Sequence, residues 1–124
     1  KTVLVVEDEE LILSAVMILL REKGYDCIPA RDGAEALAAW DKYRERVSAI
    51  LLDVDLPKIN GWEVLTRVRN SGGDVKIILC SGFLDPEKKA ATADGGATTV
   101  SASSVSRKVA SFAALTWRSA RTEA

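Results

Sequence analysis

Three carboxylic acids and one hydroxyl stand where short apolar segments of this sequence end. They are Glu7, Asp8, Asp53 and Ser81. Carboxylates that are brought together repel each other unless a cation lies between them. Oxygen ligands without imidazole or thiolate favour a hard ion, and Mg²⁺ held by a few carboxylates and waters fits such a set. These residues therefore predict a magnesium site, provided that the fold brings them together.

Asp53 is the candidate for covalent chemistry in this group. A bound Mg²⁺ beside it would shield its negative charge during attack on a phosphorus centre, and aspartate is a known nucleophile in aspartyl-phosphate chemistry. Ser81 offers a hydroxyl that can donate a hydrogen bond to a phosphoryl oxygen. Glu9 and Glu10 fit a different role, because acidic residues in the first turn of a helix interact favourably with its dipole.

Composition excludes several other kinds of chemistry. The 124 residues include no histidine, which rules out a Ser-His-Asp triad, a Cys-His dyad, a His-ligated zinc site and a phosphohistidine carrier. Cys27 and Cys80 match neither a redox pair nor a zinc spacing, so we interpret them as buried thiols.

Charge and hydropathy predict a soluble protein. The 17 basic and 18 acidic side chains give a net charge of -1, which provides no electrostatic footprint for nucleic acid or for an anionic membrane. No apolar stretch approaches the roughly 20 residues that a bilayer span needs. We expect a cytoplasmic protein that binds neither nucleic acid nor membrane directly.

Short apolar segments alternate with longer amphipathic ones, as in a chain of strands and helices. Predicted strands cover 2–6, 25–30, 47–54, 75–80 and 98–102; predicted helices cover 9–23, 34–43 and 62–70, with two more beginning near Asp85 and Ser104. Five such units predict a single α/β domain over 1–124 with an open, mostly parallel doubly wound sheet. Ligands of such sheets bind at the carboxyl ends of the strands, where the candidate residues stand.

The chain resembles the receiver domains of two-component response regulators. The resemblance is carried over about residues 2–89 by VLVVEDEE at 3–10, LLDVDLPKINGWEVL at 51–65 and IILCSG at 77–82. It implies a flavodoxin-like (βα)5 fold with strand order 2-1-3-4-5. It also implies a stand-alone or excised domain that receives a phosphoryl group from a histidine kinase or phosphotransfer protein, switches a protein-interaction surface toward an unknown target, and is not a multiple-turnover enzyme.

The resemblance also implies a role for each candidate residue. Asp53 matches the phospho-accepting aspartate, and Asp8 matches the acid that ligates Mg²⁺ directly. Glu7 matches the acid that reaches the metal through water. Asp55 stands where the family supplies a backbone carbonyl to the metal, and Ser81 matches the switch Ser/Thr.

The C-terminal third departs from the family pattern. Ala, Ser and Thr make up 21 of the last 35 residues. The family lysine aligns with Ser103 and its proline with Ser104, while the aromatic switch position aligns with Val100. Lys58, Lys88 and Lys89 are interpreted as surface lysines rather than substitutes. Two explanations of this tail compete: divergence from the family, and a shifted reading frame or another sequence artefact after about residue 90.

Two other functions remain open. A phosphorylation-independent pseudo-receiver would keep the fold and use only its surface. The missing lysine and aromatic residue favour it, whereas the intact Glu7, Asp8, Asp53 and Ser81 disfavour it. A phosphatase of the haloacid-dehalogenase type would use Asp53 as nucleophile and Asp55 as general acid in a D-x-D motif. That motif usually follows the first strand of the phosphatase fold, whereas here it follows the third, which weighs against the enzyme.

Overall fold

The computed structural model describes residues 1–53, 56, 58–72, 75–81 and 98–101, with residues 81 and 98–101 described by their backbone alone. The elements are β1 (Thr2–Val6), α1 (Glu10–Glu22), β2 (Asp26–Ala30), α2 (Gly33–Tyr43), β3 (Val47–Asp53), α3 (Gly61–Asn70), β4 (Lys76–Ser81) and β5 (Thr98–Ser101). The helices predicted to begin near Asp85 and Ser104 lie outside the described residues.

In the described part of the chain, five parallel strands form one sheet in the order β2-β1-β3-β4-β5. This order confirms the predicted doubly wound, flavodoxin-like sheet. Because every strand points the same way, the carboxyl ends of all five strands share one edge. None of the described helices has the length and apolar character that a bilayer span requires.

Two apolar clusters cover the two faces of the sheet. Leu4, Val6, Ile50 and Leu52 pack with α2 and α3 on one face. Their neighbours in sequence, including Val5 and Leu51, pack with α1 on the other. Strand side chains alternate between faces, and burial on both faces explains why β1 and β3 are continuous apolar runs. Burying each such aliphatic side chain contributes roughly 1.5–3 kcal/mol.

Caps account for small differences between the predicted and observed boundaries. Helix α1 begins at Glu10 rather than Glu9, because Glu9 is extended and occupies the cap position. Asp32 caps α2, its carboxylate accepting the Glu35 amide at 2.8 Å, and Gly33 therefore belongs to the first turn. Asn60 caps α3 in the same way, accepting the Glu63 amide at 3.0 Å. Strand β4 includes Ser81 because that residue pairs with Ser101 of β5.

Gly33 is needed for space rather than for backbone conformation. A Cβ at this buried position would overlap the carbonyl oxygen and the Cβ of Ile59, which lies in the loop after β3. We expect Gly33→Ala to lower the free energy of unfolding by about 1–3 kcal/mol, because backbone must move to admit the methyl group. Urea denaturation measures the change. The exposed Ser14→Ala should shift the midpoint little; an equally small shift for Gly33→Ala would contradict the close packing.

Candidate functional site

The three candidate carboxylates lie together at the carboxyl edge of the sheet. One oxygen each from Glu7, Asp8 and Asp53 lies within 4.8 Å of the other two. The sheet places them there, since Val6 pairs with Leu52 at the ends of β1 and β3. Beyond β1, the Glu7 amide donates a hydrogen bond of 3.0 Å to the Ala30 carbonyl of β2. This bond fixes the backbone where the two acids leave the strand.

The spacing of the carboxylates suits a single small cation. Two oxygens on opposite sides of one Mg²⁺ lie about 4.2 Å apart, given Mg–O distances near 2.1 Å. Separations of 4.8 Å or less thus need only small side-chain rotations to reach a common ion. The donor set consists of hard oxygen atoms carrying negative charge, which is the chemistry that Mg²⁺ prefers.

The acids differ in their exposure to solvent. Glu7 is 5% exposed, Asp53 is half-buried and Asp8 is exposed. A cavity of about 10 Å³ is bordered by Glu7, Asp53, Val16 and Cys80 among others, and Asp8 does not line it. This space holds about one water molecule. Because Asp8 is exposed and does not line this cavity, a cation bound by all three acids would lie on the solvent side of it, where a reactant can approach Asp53.

Cys80 is a neighbour of the site that sequence spacing did not reveal. It pairs directly with Asp53 in the register of β3 and β4, and its side chain is 1% exposed. Both cysteines are free thiols. Burial raises the pKa of the half-buried Cys27 thiol. The interpretation as buried thiols is therefore confirmed for Cys80, whereas Cys27 is only partly buried.

An ion pair involves Glu10, one of the two acids that follow Asp8 in the sequence. Arg31 donates to both carboxylate oxygens of Glu10, at 2.7 and 3.0 Å. The hydrogen bond from Arg31 holds the pKa of the Glu10 carboxyl below its usual value. Glu10 also stands in the first turn of α1. Glu10 is therefore not part of the cluster of three acids, in agreement with its predicted place in the first turn of a helix.

Lys58 lies in the loop after β3, at the same edge of the sheet, but its ammonium approaches Asp32. Its ammonium lies 3.8 Å from the Asp32 carboxylate, and its side chain is largely exposed. The backbone of Lys58 is left-handed, with φ of 64°, which turns the chain between β3 and α3. This placement agrees with its interpretation as a surface lysine.

The other predicted site residues have only their backbone described or lie outside the described residues. Ser81 ends β4, one residue beyond the partner of Asp53. Val100 lies in β5, where its backbone pairs with Cys80. Asp55, Ser103, Lys88 and Lys89 lie outside the described residues.

The sequence pattern of the response regulator receiver domain matches residues 3–102. The chain therefore belongs to the receiver domain family of two-component systems. The match extends across the site edge and into the compositionally unusual tail.

Named relatives agree with this family. The chain is 45% identical over 69 residues to the alkaline phosphatase synthesis transcriptional regulatory protein PhoP of Bacillus subtilis, a match that covers 56% of this chain and 28% of PhoP. It is 31% identical over 83 residues to the CAI-1 autoinducer sensor kinase/phosphatase CqsS of Vibrio cholerae, covering 67% of this chain and 12% of CqsS. The chain thus spans less than a third of either protein.

One solved structure is similar to this chain over most of the length of both proteins. The response regulator protein TrrA of Thermotoga maritima, solved in complex with Mg²⁺ and BeF, is 31% identical with a TM-score of 0.72. The alignment covers 83% of this chain and 87% of TrrA. Family and fold are therefore supported independently by sequence and by structure.

Proposed function

We propose that this receiver domain accepts a phosphoryl group on Asp53 in the presence of Mg²⁺. The observation that carries the proposal is the convergence of Glu7, Asp8 and Asp53 within 4.8 Å at the carboxyl edge of a parallel sheet. Asp8 and Asp53 would bind the ion directly and Glu7 through water, with the Asp55 carbonyl as a further ligand. When bound, Mg²⁺ would neutralise negative charge at the site and on the phosphoryl oxygens.

The chain's own groups account for the transfer step. A carboxylate oxygen of Asp53 forms a bond to phosphorus while the bond from phosphorus to the donor's leaving group breaks, giving an acyl phosphate. Asp53 is half-buried at the end of β3, so the strand fixes its position while one side remains open to the donor. Ser81 would donate a hydrogen bond from its hydroxyl to a phosphoryl oxygen.

The donor would be a histidine kinase or a phosphotransfer protein. Two features support this choice: the chain contains no histidine of its own, and one of its relatives is a sensor kinase/phosphatase. We place the function in the cytoplasm, in a single receiver domain over residues 1–124 that acts through a protein target rather than by binding nucleic acid or membrane. The domain would hydrolyse the phosphoryl group from its own Asp53, but it would not act as a multiple-turnover enzyme on other substrates.

Incubation with acetyl phosphate tests the proposal without a cognate kinase. We expect the intact mass to increase by one phosphoryl group in the presence of Mg²⁺ and to stay unchanged in EDTA. Absence of an adduct, under conditions that modify another receiver domain, would contradict phosphoryl acceptance and favour the pseudo-receiver. Multiple turnover of p-nitrophenyl phosphate that requires Asp53 would instead favour the phosphatase.

A further inference from the structure

Charge is strongly segregated along the strand direction. The described residues with side chains include eleven Lys and Arg, and all of these except Arg31 and Lys58 lie at the amino edge of the sheet or at the helix ends beside it. Nine basic residues thus lie at this edge. Only four of the twelve described Asp and Glu residues lie there, namely Glu22, Asp26, Asp41 and Glu45. The edge opposite the three candidate carboxylates is therefore positive, although the net charge of the chain is close to zero.

One corner of this amino edge has the form of a binding surface. Residues 41–46, which comprise the end of α2 and its connection to β3, line an open concavity of about 420 Å³. Lys42 and Arg46 both approach the ring of Tyr43, with their charged groups 5.1 and 5.7 Å from its centroid. Two like charges are thus held beside the same half-buried ring, and a carboxylate that approaches this ring from solvent would be attracted by both.

A third cation of the corner has a structural role. Arg44 lies over the Trp40 ring and donates to the Ser71 carbonyl at 3.4 Å and to Asp41 at 3.2 Å. In the part of the chain that the structure describes, Lys42 and Arg46 form ring contacts but no ion pair. These two cations are therefore available to an external anion, while Arg44 anchors the corner to α3.

We propose that this corner binds an acidic polypeptide segment of a partner protein, with Lys42 and Arg46 beside Tyr43 holding the carboxylates of that segment. The pattern of charge favours a peptide over nucleic acid. Asp41 and Glu45 interrupt the basic residues, which opposes a continuous phosphate track but suits spaced carboxylates. The aromatic rings offer no base-stacking platform, since Trp40 is 3% exposed and Tyr43 is covered by cations.

The corner lies at the edge opposite Asp53, so this binding does not depend on phosphoryl acceptance. Fluorescence anisotropy of a fluorescein-labelled oligoglutamate peptide at low salt measures it on the full chain. We expect the double variant Lys42→Glu/Arg46→Glu to weaken binding by about tenfold or more, and added salt to weaken wild-type binding. Asp53→Asn should bind as wild type does.

A matched control separates a defined site from a diffuse positive edge. Arg21→Glu/Lys23→Glu makes the same change in charge at the end of α1, which packs on the other face of the sheet. We compare the two double variants at about 0.1 M salt, where the Debye length is about 10 Å, and expect this variant to retain binding within about threefold because its exposed charges are then screened from the contact. Equal losses in both double variants, no binding of the peptide at low salt, or tighter binding of duplex DNA would each overturn the proposal. Circular dichroism verifies that the variants are folded.

Discussion

Asp53→Asn is expected to abolish the phosphoryl adduct that acetyl phosphate forms with the wild-type chain. The amide has nearly the same shape as the carboxylate, but its nitrogen is not a nucleophile and its oxygen carries no formal charge. Asp53 is the last residue of β3, and its backbone pairing with Cys80 does not involve the side chain. The substitution should therefore remove the reaction and leave the sheet intact, which intact mass spectrometry and circular dichroism measure together.

Asp26→Asn is the matched control for this loss. It makes the same chemical change at an exposed aspartate, which begins β2 at the amino edge of the sheet. We expect its adduct to match that of the wild type in amount and in sensitivity to hydroxylamine, which cleaves acyl phosphates but not serine phosphates. An adduct that persists in Asp53→Asn would assign phosphoryl acceptance to another residue, and hydroxylamine resistance would indicate a hydroxyl acceptor.

The fold was predictable because its strands are simple apolar runs. Thr2–Val6 is buried throughout, and a strand buried on both faces needs no alternating pattern. The shared edge of Glu7, Asp8 and Asp53 followed from the parallel arrangement alone, since each stands at a strand's carboxyl end. Strong local signals and one topological rule thus brought together residues that are 45 positions apart in sequence.

Features that depend on loop geometry and register were not predictable. Arg31 and Glu10 pair across 21 positions, which requires the relative placement of the first turn of α1 and the loop after β2. Cys80 became a neighbour of Asp53 only through the register of β3 and β4. The amino edge illustrates the same limit: basic residues near helix ends are ordinary helix-dipole partners, and only the assembled sheet combines them into one positive edge.

Mg²⁺ is expected to stabilise the wild-type chain against heat, and Asp8→Asn is expected to remove most of that gain. An ion that binds only the folded state adds about 2.7 kcal/mol at a concentration one hundred times its dissociation constant. Asp8 is exposed, so its amide variant loses a metal ligand without disturbing the core. Thermal unfolding followed by circular dichroism, with Mg²⁺ and with EDTA, measures both effects.

The effect of Asp8→Asn on the unfolding temperature should differ between EDTA and Mg²⁺. In EDTA, Asp8→Asn should unfold at the same or a higher temperature than the wild type, because one of three clustered negative charges is removed. In Mg²⁺ it should unfold at a lower temperature than the wild type, because the ion binds less tightly. Asp26→Asn, with the same change in net charge at the opposite edge, should keep the full Mg²⁺ gain. An unchanged gain in Asp8→Asn would mean that the cation does not bind at the cluster of Glu7, Asp8 and Asp53.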